Sequence, residues 1–376
     1  MRRLLAWCKT EVVLSIAVLL AVVSAFVIHP DKEYINYIDF RTLAILFCLM
    51  AVMAGLQKIG LFRYVAEKLL GKVSHIRGLT FILIMLCFFS SMLITNDVAL
   101  ITFVPFTFIV LNMIMGEESE KFIVPVVVMQ TIAANLGSML TPIGNPQNLY
   151  LYGKTTMNFA SFMFFMLPYT AMAFALLAVW CLLFRYKGEK KIELKIEQNT
   201  GVAQYKKQLI VYSVLFALCI LTVAHVISYM VTLGIVLFVV FILDKRVLKE
   251  VDYALLLTFV GFFIFIGNMG RVPAFNAFIQ NIIDGNEVLT SVVSSQFMSN
   301  VPAALLLSGF TEQYELLIVG TNLGGLGTLI ASMASLISFK YIGKEYGHLK
   351  GRYMLYFTIT NLLFLIILFA FYQILK

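Results

Sequence analysis

The sequence predicts an all-α polytopic membrane protein built from two inverted-topology repeats. Three observations carry this. Of the 376 residues, 61% are hydrophobic and only 13% charged, whereas a soluble domain is roughly half apolar and a quarter charged. Apolar runs recur along the whole chain at the length of a span, about 20 residues. Three stretches of the first half also return, in the same order, in the second.

Nine spans are placed by apolar length, over 11–29, 41–58, 122–152, 161–184, 207–226, 229–243, 253–270, 315–339 and 353–375. The first follows Arg2, Arg3 and Lys9 without a small-residue cleavage site and is expected as a retained helix. Segments 78–115 and 287–311 are different. Each has two apolar arms around a polar tip, Thr95–Asn96–Asp97 in one and Ser299–Asn300 in the other. The arms of the second, about 11 and 9 residues, are too short to cross a bilayer, and both segments are predicted as re-entrant hairpins. Spans 122–152 and 315–339 contain "NLGSMLTPIGNPQN" and "NLGGLG" and are predicted as broken helices. The charged stretch 186–206 is expected as a cytoplasmic linker between a first repeat, 1–185, and a second, 207–376.

Charge tests this topology. With about nine crossings and two hairpins, 23 of the 28 Lys and Arg fall on one side. That side is the cytoplasm by the positive-inside rule, which puts the N-terminus inside and the C-terminus outside an inner membrane. The net charge of +8 is then a topology signal, and no nucleic-acid partner is expected. The five cysteines are scattered, and the four histidines form no metal-binding pattern. There is no phosphate-binding loop of the Gly-x-x-x-x-Gly-Lys-[Ser/Thr] type and no catalytic constellation in the spans. No enzyme and no cofactor is expected beyond sodium or a proton as coupling ion.

The repeats align in three places. "IDFRTLAILFCLMAVMAGLQKIG" (38–60) reads like "VDYALLLTFVGFFIFIGNMGRVP" (251–273). "SSMLITNDVAL" (90–100) reads like "SSQFMSNVPAAL" (294–305), and "ANLGSMLTPIGNPQN" (134–148) like "TNLGGLGTLIASMAS" (321–335). Five crossings separate Asp39 from Asp252 in this topology, an odd number, so the halves face opposite ways. Inverted repeats with interrupted helices mark secondary transporters whose site lies near the midplane between the repeats.

The polar tips and breaks carry the chemistry. Backbone that turns inside a membrane must be buried in protein or line a cavity. Asn suits such turns and offers a carbonyl to a cation. An intramembrane carboxylate marks an ion or proton pathway, which singles out Asp97. Thr141 followed by Pro142 reads as the start of a half-helix. Half-helix N-termini favour an anion. The expected substrate-binding residues are Thr95, Asn96, Thr141, Pro142, Gly144, Asn145, Ser299, Asn300 and Thr328. The expected coupling-ion residues are Asn96, Asp97, Asn135, Gly137, Asn300, Asn322 and Gly324. Ser90, Ser91, Ser294 and Ser295 are expected to be structural, and Arg271, the counterpart of Lys58, an interfacial anchor.

"TNDVAL", "NLGSMLTPIGNPQN" and "SNVPAALLL" resemble the ion transporter superfamily, whose members include divalent-anion/sodium symporters, citrate–metal symporters, arsenite permeases and a class of sodium/proton antiporters. They are most similar to a compact bacterial branch of inner-membrane permeases. The resemblance implies a scaffold domain, a transport domain that moves like an elevator, and a homodimer in the lipid bilayer. It also implies that Thr95, Asn96, Asp97, Ser299, Asn300 and Val301 occupy the tip positions that contact sodium and substrate. This chain departs from the symporter pattern of Ser-Asn-Thr at both third positions, where Asp97 adds a charge and Val301 removes a hydroxyl. The expected function is secondary active transport of a small inorganic or organic anion or oxyanion, driven by sodium or protons. The alternative is a sodium/proton antiporter with no organic anion.

Overall fold

The computed structural model describes residues 11–71, 73, 75–184 and 204–376, and among these every regular element is helical. The linker expected over 186–206 lies, as far as residue 203, outside the described residues. In chain order the first half contains α1 (Val12–Val27), α2 (Glu33–Tyr37), α3 (Phe40–Lys58), α4 (Leu61–Leu70), α5 (Ile76–Ile94), α6 (Asn96–Met115), α7 (Glu120–Ser138), α8 (Pro146–Tyr152) and α9 (Phe159–Leu183). The second contains α10 (Lys206–Val223), α11 (Tyr229–Asp244), α12 (Tyr253–Gly270), α13 (Pro273–Ile283), α14 (Glu287–Met298), α15 (Asn300–Leu307), α16 (Tyr314–Gly324), α17 (Met333–Glu345) and α18 (Lys350–Leu375). Eight of them, α3, α5, α6, α7, α9, α10, α12 and α18, are long and apolar enough to cross a membrane. The apolar α1 and α11 have 16 residues each. The chain is a polytopic, all-helical membrane protein.

The repeat is visible in backbone detail. Asp39 caps α3 by accepting from Thr42 N–H at 3.0 Å, and Asp252 caps α12 by accepting from Leu255 N–H at 2.9 Å. Each satisfies one of the orphan donors of a helix start. The two arms of each hairpin are hinged on one residue with positive φ, Thr95 (69°) and Ser299 (75°). Hairpin arm α5 packs along α7, and α14 packs along α16 in the same way. Lys58 at the end of α3 pairs with Asp244, and Arg271 at the end of α12 pairs with Asp31 at 2.7 Å. Both members of one pair lie 213 residues from their counterparts in the other, the separation that also relates Asp39 to Asp252. By the same register α1, packed on α12, corresponds to α11, packed on α3.

These related helices run in opposite directions. One cavity brings Lys58, the last residue of α3, together with Asp252, the cap of α12. A second brings Asp39, the cap of α3, together with Gly267 near the end of α12. These two related helices, α3 and α12, are therefore antiparallel.

Some elements differ from expectation. The amphipathic helices α4 and α13 follow α3 and α12 and were not expected. The first hairpin has arms of 19 and 20 residues, each as long as a span, whereas those of the second have 12 and 8. The breaks at 139–145 and 325–332 fall inside the expected segments, and α17 runs on to Glu345. Helix α7 and the break that follows it form the buried centre, with every residue from Phe122 to Met139 enclosed.

Candidate functional site

The site is built around the two hairpin tips. Thr95 (φ 69°, ψ 150°) and Ser299 (φ 75°, ψ 154°) share one conformation. It lies where residues other than glycine are strained by about 1–3 kcal/mol, a cost sustained only where the surroundings fix it. At the first tip, Asn96 N–H donates to the Gly144 carbonyl at 3.1 Å, and Asn96 Nδ2 donates to Asn135 Oδ1 at 3.1 Å. At the second, Asn300 is buried with its amide nitrogen against Gly325, where a Cβ would come within 2.9 Å of it. Each tip thus docks on the break of its own repeat.

The breaks in turn lock onto each other across the repeats. Asn145 Nδ2 donates to Asn322 Oδ1 at 3.0 Å, and Asn322 Nδ2 donates to Asn148 Oδ1 at 2.6 Å. The counterparts of Asn145 and Asn148 are Ser332 and Ser335. Ser332 Oγ donates to Asn135 Oδ1 at 3.0 Å, and Asn135 Nδ2 approaches Ser335 Oγ at 3.4 Å. Asn135 and Asn322, 4% and 2% exposed, therefore hold the opposite break by two-fold related contacts. Buried amides must be satisfied, and these satisfy one another.

Glycine sets the distances. A Cβ on Gly137 would lie 2.0 Å from the Phe88 carbonyl and 2.6 Å from Ser91 Oγ. One on Gly324 would lie 2.6 Å from Ser295 Oγ. These are related positions where the hairpin arm touches the broken helix. Ser91 and Ser295 each return their hydroxyl to their own helix, to Phe88 O at 2.9 Å and Ser291 O at 2.7 Å, and act as small packing residues.

Between the tips is a cleft of about 10 Å³ lined by Asn96, Asp97, Gln147, Asn300, Val301 and Ser332, among others. This is about the least space that holds one water. It adjoins a cavity of about 480 Å³ between α3, α6, α8 and the start of α12, whose polar lining includes Thr95, Asp97, Asn145, Lys58, Glu250 and Asp252. Asp97 faces both, and its buried Oδ1 has no hydrogen-bond partner among the described residues. The opposite side has a related cavity of about 140 Å³. There Asp39, Phe263 and Gly267 stand where Asp252, Met50 and Ala54 stand in the larger one. The Tyr37 ring lies against Gly267, leaving no room for a Cβ, and Tyr37 OH accepts from Arg271 at 3.0 Å. Of these two related cavities, the one on the Lys58 side is the wider.

Of the expected site residues, Asn96, Asp97, Asn135, Asn145, Asn300 and Asn322 converge on this centre, with Thr95, Gly144 and Ser299 forming the turns beside it. Thr141 bonds to the Met92 carbonyl on the hairpin arm. The half-helix does not start at Thr141–Pro142. These lie in the turn of the break, and α8 begins at Pro146 with Asn145 as its N-cap, accepting from Asn148 N–H at 2.9 Å. Thr328 is exposed, with its N–H and hydroxyl both on Gln296, at 2.9 and 3.2 Å. It lines neither the cleft nor the larger cavity. Sequence reasoning missed Gln147, Gln296, Asn148, Ser332, Ser335 and Asp252. Asn148 and Ser335 end the matched stretches 134–148 and 321–335, where that alignment could have found them.

Residues 4–313 match the citrate transporter family, CitMHS. An uncharacterized transporter of Methanocaldococcus jannaschii is 35% identical over 368 residues, 96% of each chain. The inner membrane protein YbiR of Escherichia coli is 31% identical over 324 residues, 84% of each. The silicon efflux transporter LSI3 of Oryza sativa subsp. japonica is 31% identical over 142 residues, 38% of this chain and 28% of its own.

Proposed function

The chain belongs to the citrate transporter family, and on that premise we propose that it is a secondary active transporter of a small oxyacid or its anion, coupled to sodium or protons. One observation carries the reading. Two hairpin tips of matching backbone conformation meet two crossed, broken helices at a polar centre whose adjoining cavity on the Lys58 side is wider than its counterpart on the Arg271 side. A centre reached from one side at a time, between inverted repeats, is what alternating access requires. Asp97 binds the coupling cation or proton, with Asn96 and the carbonyls of the break beside it. Asn300 and Ser332 contact the solute from the second repeat. The hairpins and broken helices move as a transport domain against α3, α12 and their partners α11 and α1, in a homodimer. The repeats extend over 1–185 and 207–376. The wider side is the cytoplasm of an inner membrane, since Lys58, Lys245, Arg246 and Lys249 gather there.

Uptake into proteoliposomes tests this. Asp97→Asn is expected to fold and to lose dependence on the sodium or proton gradient, and unchanged ion-driven uptake in that variant refutes the role of Asp97. A second reading, sodium/proton antiport, is favoured by the carboxylates Asp97, Glu250 and Asp252 in the cavity. Proton flux driven by a sodium gradient with no solute present selects it.

A further inference from the structure

Within the transport reading above, on which this inference rests, the charge state of the solute is decided by what the cavity offers it. Asp97 Oδ1 is a buried acceptor without a donor, at the junction of the tip cleft and the larger cavity. A cation or an O–H group satisfies it, whereas a ligand bearing only acceptor oxygens does not. Among the described residues, the charged groups that line the larger cavity are Asp97, Glu250, Asp252 and one cation, Lys58. Lys58 is already paired with Asp244. A free anion entering there meets more like charge than opposite charge in a largely apolar cleft, where such repulsion is little screened.

The helix starts compensate only in part. A half-helix N-terminus attracts an anion through its unpaired N–H groups; at α6, α8 and the second break protein oxygens take several of them, whereas Asn300 and Val301 N–H at the start of α15 meet no acceptor among the described residues. Asn96 N–H is on the Gly144 carbonyl, Asp97 N–H on Asn96 Oδ1 at 3.0 Å, Asn148 N–H on Asn145 Oδ1 and Thr328 N–H on Gln296 Oε1. Pro302, in the first turn of α15, has none to give. Asp97 itself is the negative charge at the start of α6. What a solute meets in the cleft, beside these two N–H groups, is a set of groups that both donate and accept: the side-chain amides of Asn96, Gln147 and Asn300 and the hydroxyl of Ser332.

We propose that the solute is bound and carried as an undissociated oxyacid, its hydroxyl groups donating to Asp97 and exchanging hydrogen bonds with the tip amides, and not as a free anion. The probes are boric and silicic acids, undissociated at neutral pH, and sulfate and citrate, ionised there. Thermal stability of the purified full chain and uptake into proteoliposomes are measured for each, with and without sodium. The expected result is a saturable stabilisation by an undissociated acid and uptake of it at least about tenfold above either anion. For boric acid the effect fades as alkali converts it to borate. Asp97→Ala loses the stabilisation, while Glu345→Gln, at an exposed carboxylate outside the lining of the cleft and of the larger cavity, retains it. Sulfate or citrate matching the acids, in sodium or out of it, overturns the proposal and leaves the transport reading standing, as does a panel in which an anion alone is taken up. Proton flux with no uptake of any probe overturns both.

Discussion

At the residue scale, the centre tolerates no extra atom at its glycines and no unpaired amide. Gly137→Ala places a methyl 2.0 Å from a backbone carbonyl that cannot rotate away. It is expected to cost about 1–3 kcal/mol or more by overpacking, read as a fall in thermal midpoint of the detergent-solubilised protein. Asn322→Ala removes the partner of both Asn145 and Asn148. Each buried group left unsatisfied costs about 1–3 kcal/mol. Asn145→Ser, which copies the other repeat's Ser332, is expected to cost less than Asn322→Ala in the same measurement. The residue types were legible in the sequence, since Asn and Gly interrupting apolar runs have few other uses. Their partners were not. That Asn135 faces Ser332 and Ser335, and Asn322 faces Asn145 and Asn148, depends on how two segments far apart in the chain cross.

At the element scale, the long apolar runs were readable as spans because hydrophobic length alone identifies them. The shorter amphipathic helices were not. Helix α4 buries Phe62, Ala66 and Leu70 on one face and exposes Arg63, Tyr64, Lys68 and Leu69, a helical period too brief to stand out between spans. The two ion pairs at the ends of α3 and α12 belong to this scale as well. Hydrogen bonding to Arg271 holds the Asp31 carboxyl below its ordinary value of 3.8. A depressed carboxylate contributes stability that is complete above that ordinary value and is lost as pH falls through the lower folded value. The wild type is therefore expected to lose more stability than Asp31→Asn on acidification below about 3.8, read from thermal midpoints. The pair is exposed, so the difference is small.

At the scale of the whole molecule, inverted repeats give two related cavities, and the structure catches them unequal, about 480 Å³ against 140 Å³. The narrow side is held by Tyr37 on Gly267, with Arg271 reaching both Tyr37 and Asp31. Tyr37→Ala is expected to widen it. The measurement is labelling of Ile266→Cys, on the lining of the narrow cavity, by a hydrophilic thiol reagent applied from that side, with a several-fold rise over the Tyr37 background. The native cysteines among the described residues, Cys48, Cys87, Cys181 and Cys219, are all buried.

Sequence alone was enough to establish a polytopic helical membrane protein with a repeat and to mark Asp97, Asn96, Asn135, Asn145, Asn300 and Asn322 as inward residues, though not Gln147, Asn148 or Ser332 beside them. Hydrophobic length, charge bias and internal likeness are local properties that survive without knowledge of contacts. It took the tertiary structure to show which amides satisfy which, that Asp97 Oδ1 is left without a donor, that the starts of α6 and α8 are partly filled by protein oxygens, and which of the two related cavities is the wider. Those facts follow from the crossing of two breaks and the packing of two hairpins. Distance between atoms remote in sequence sets them, and no pattern along the chain records it.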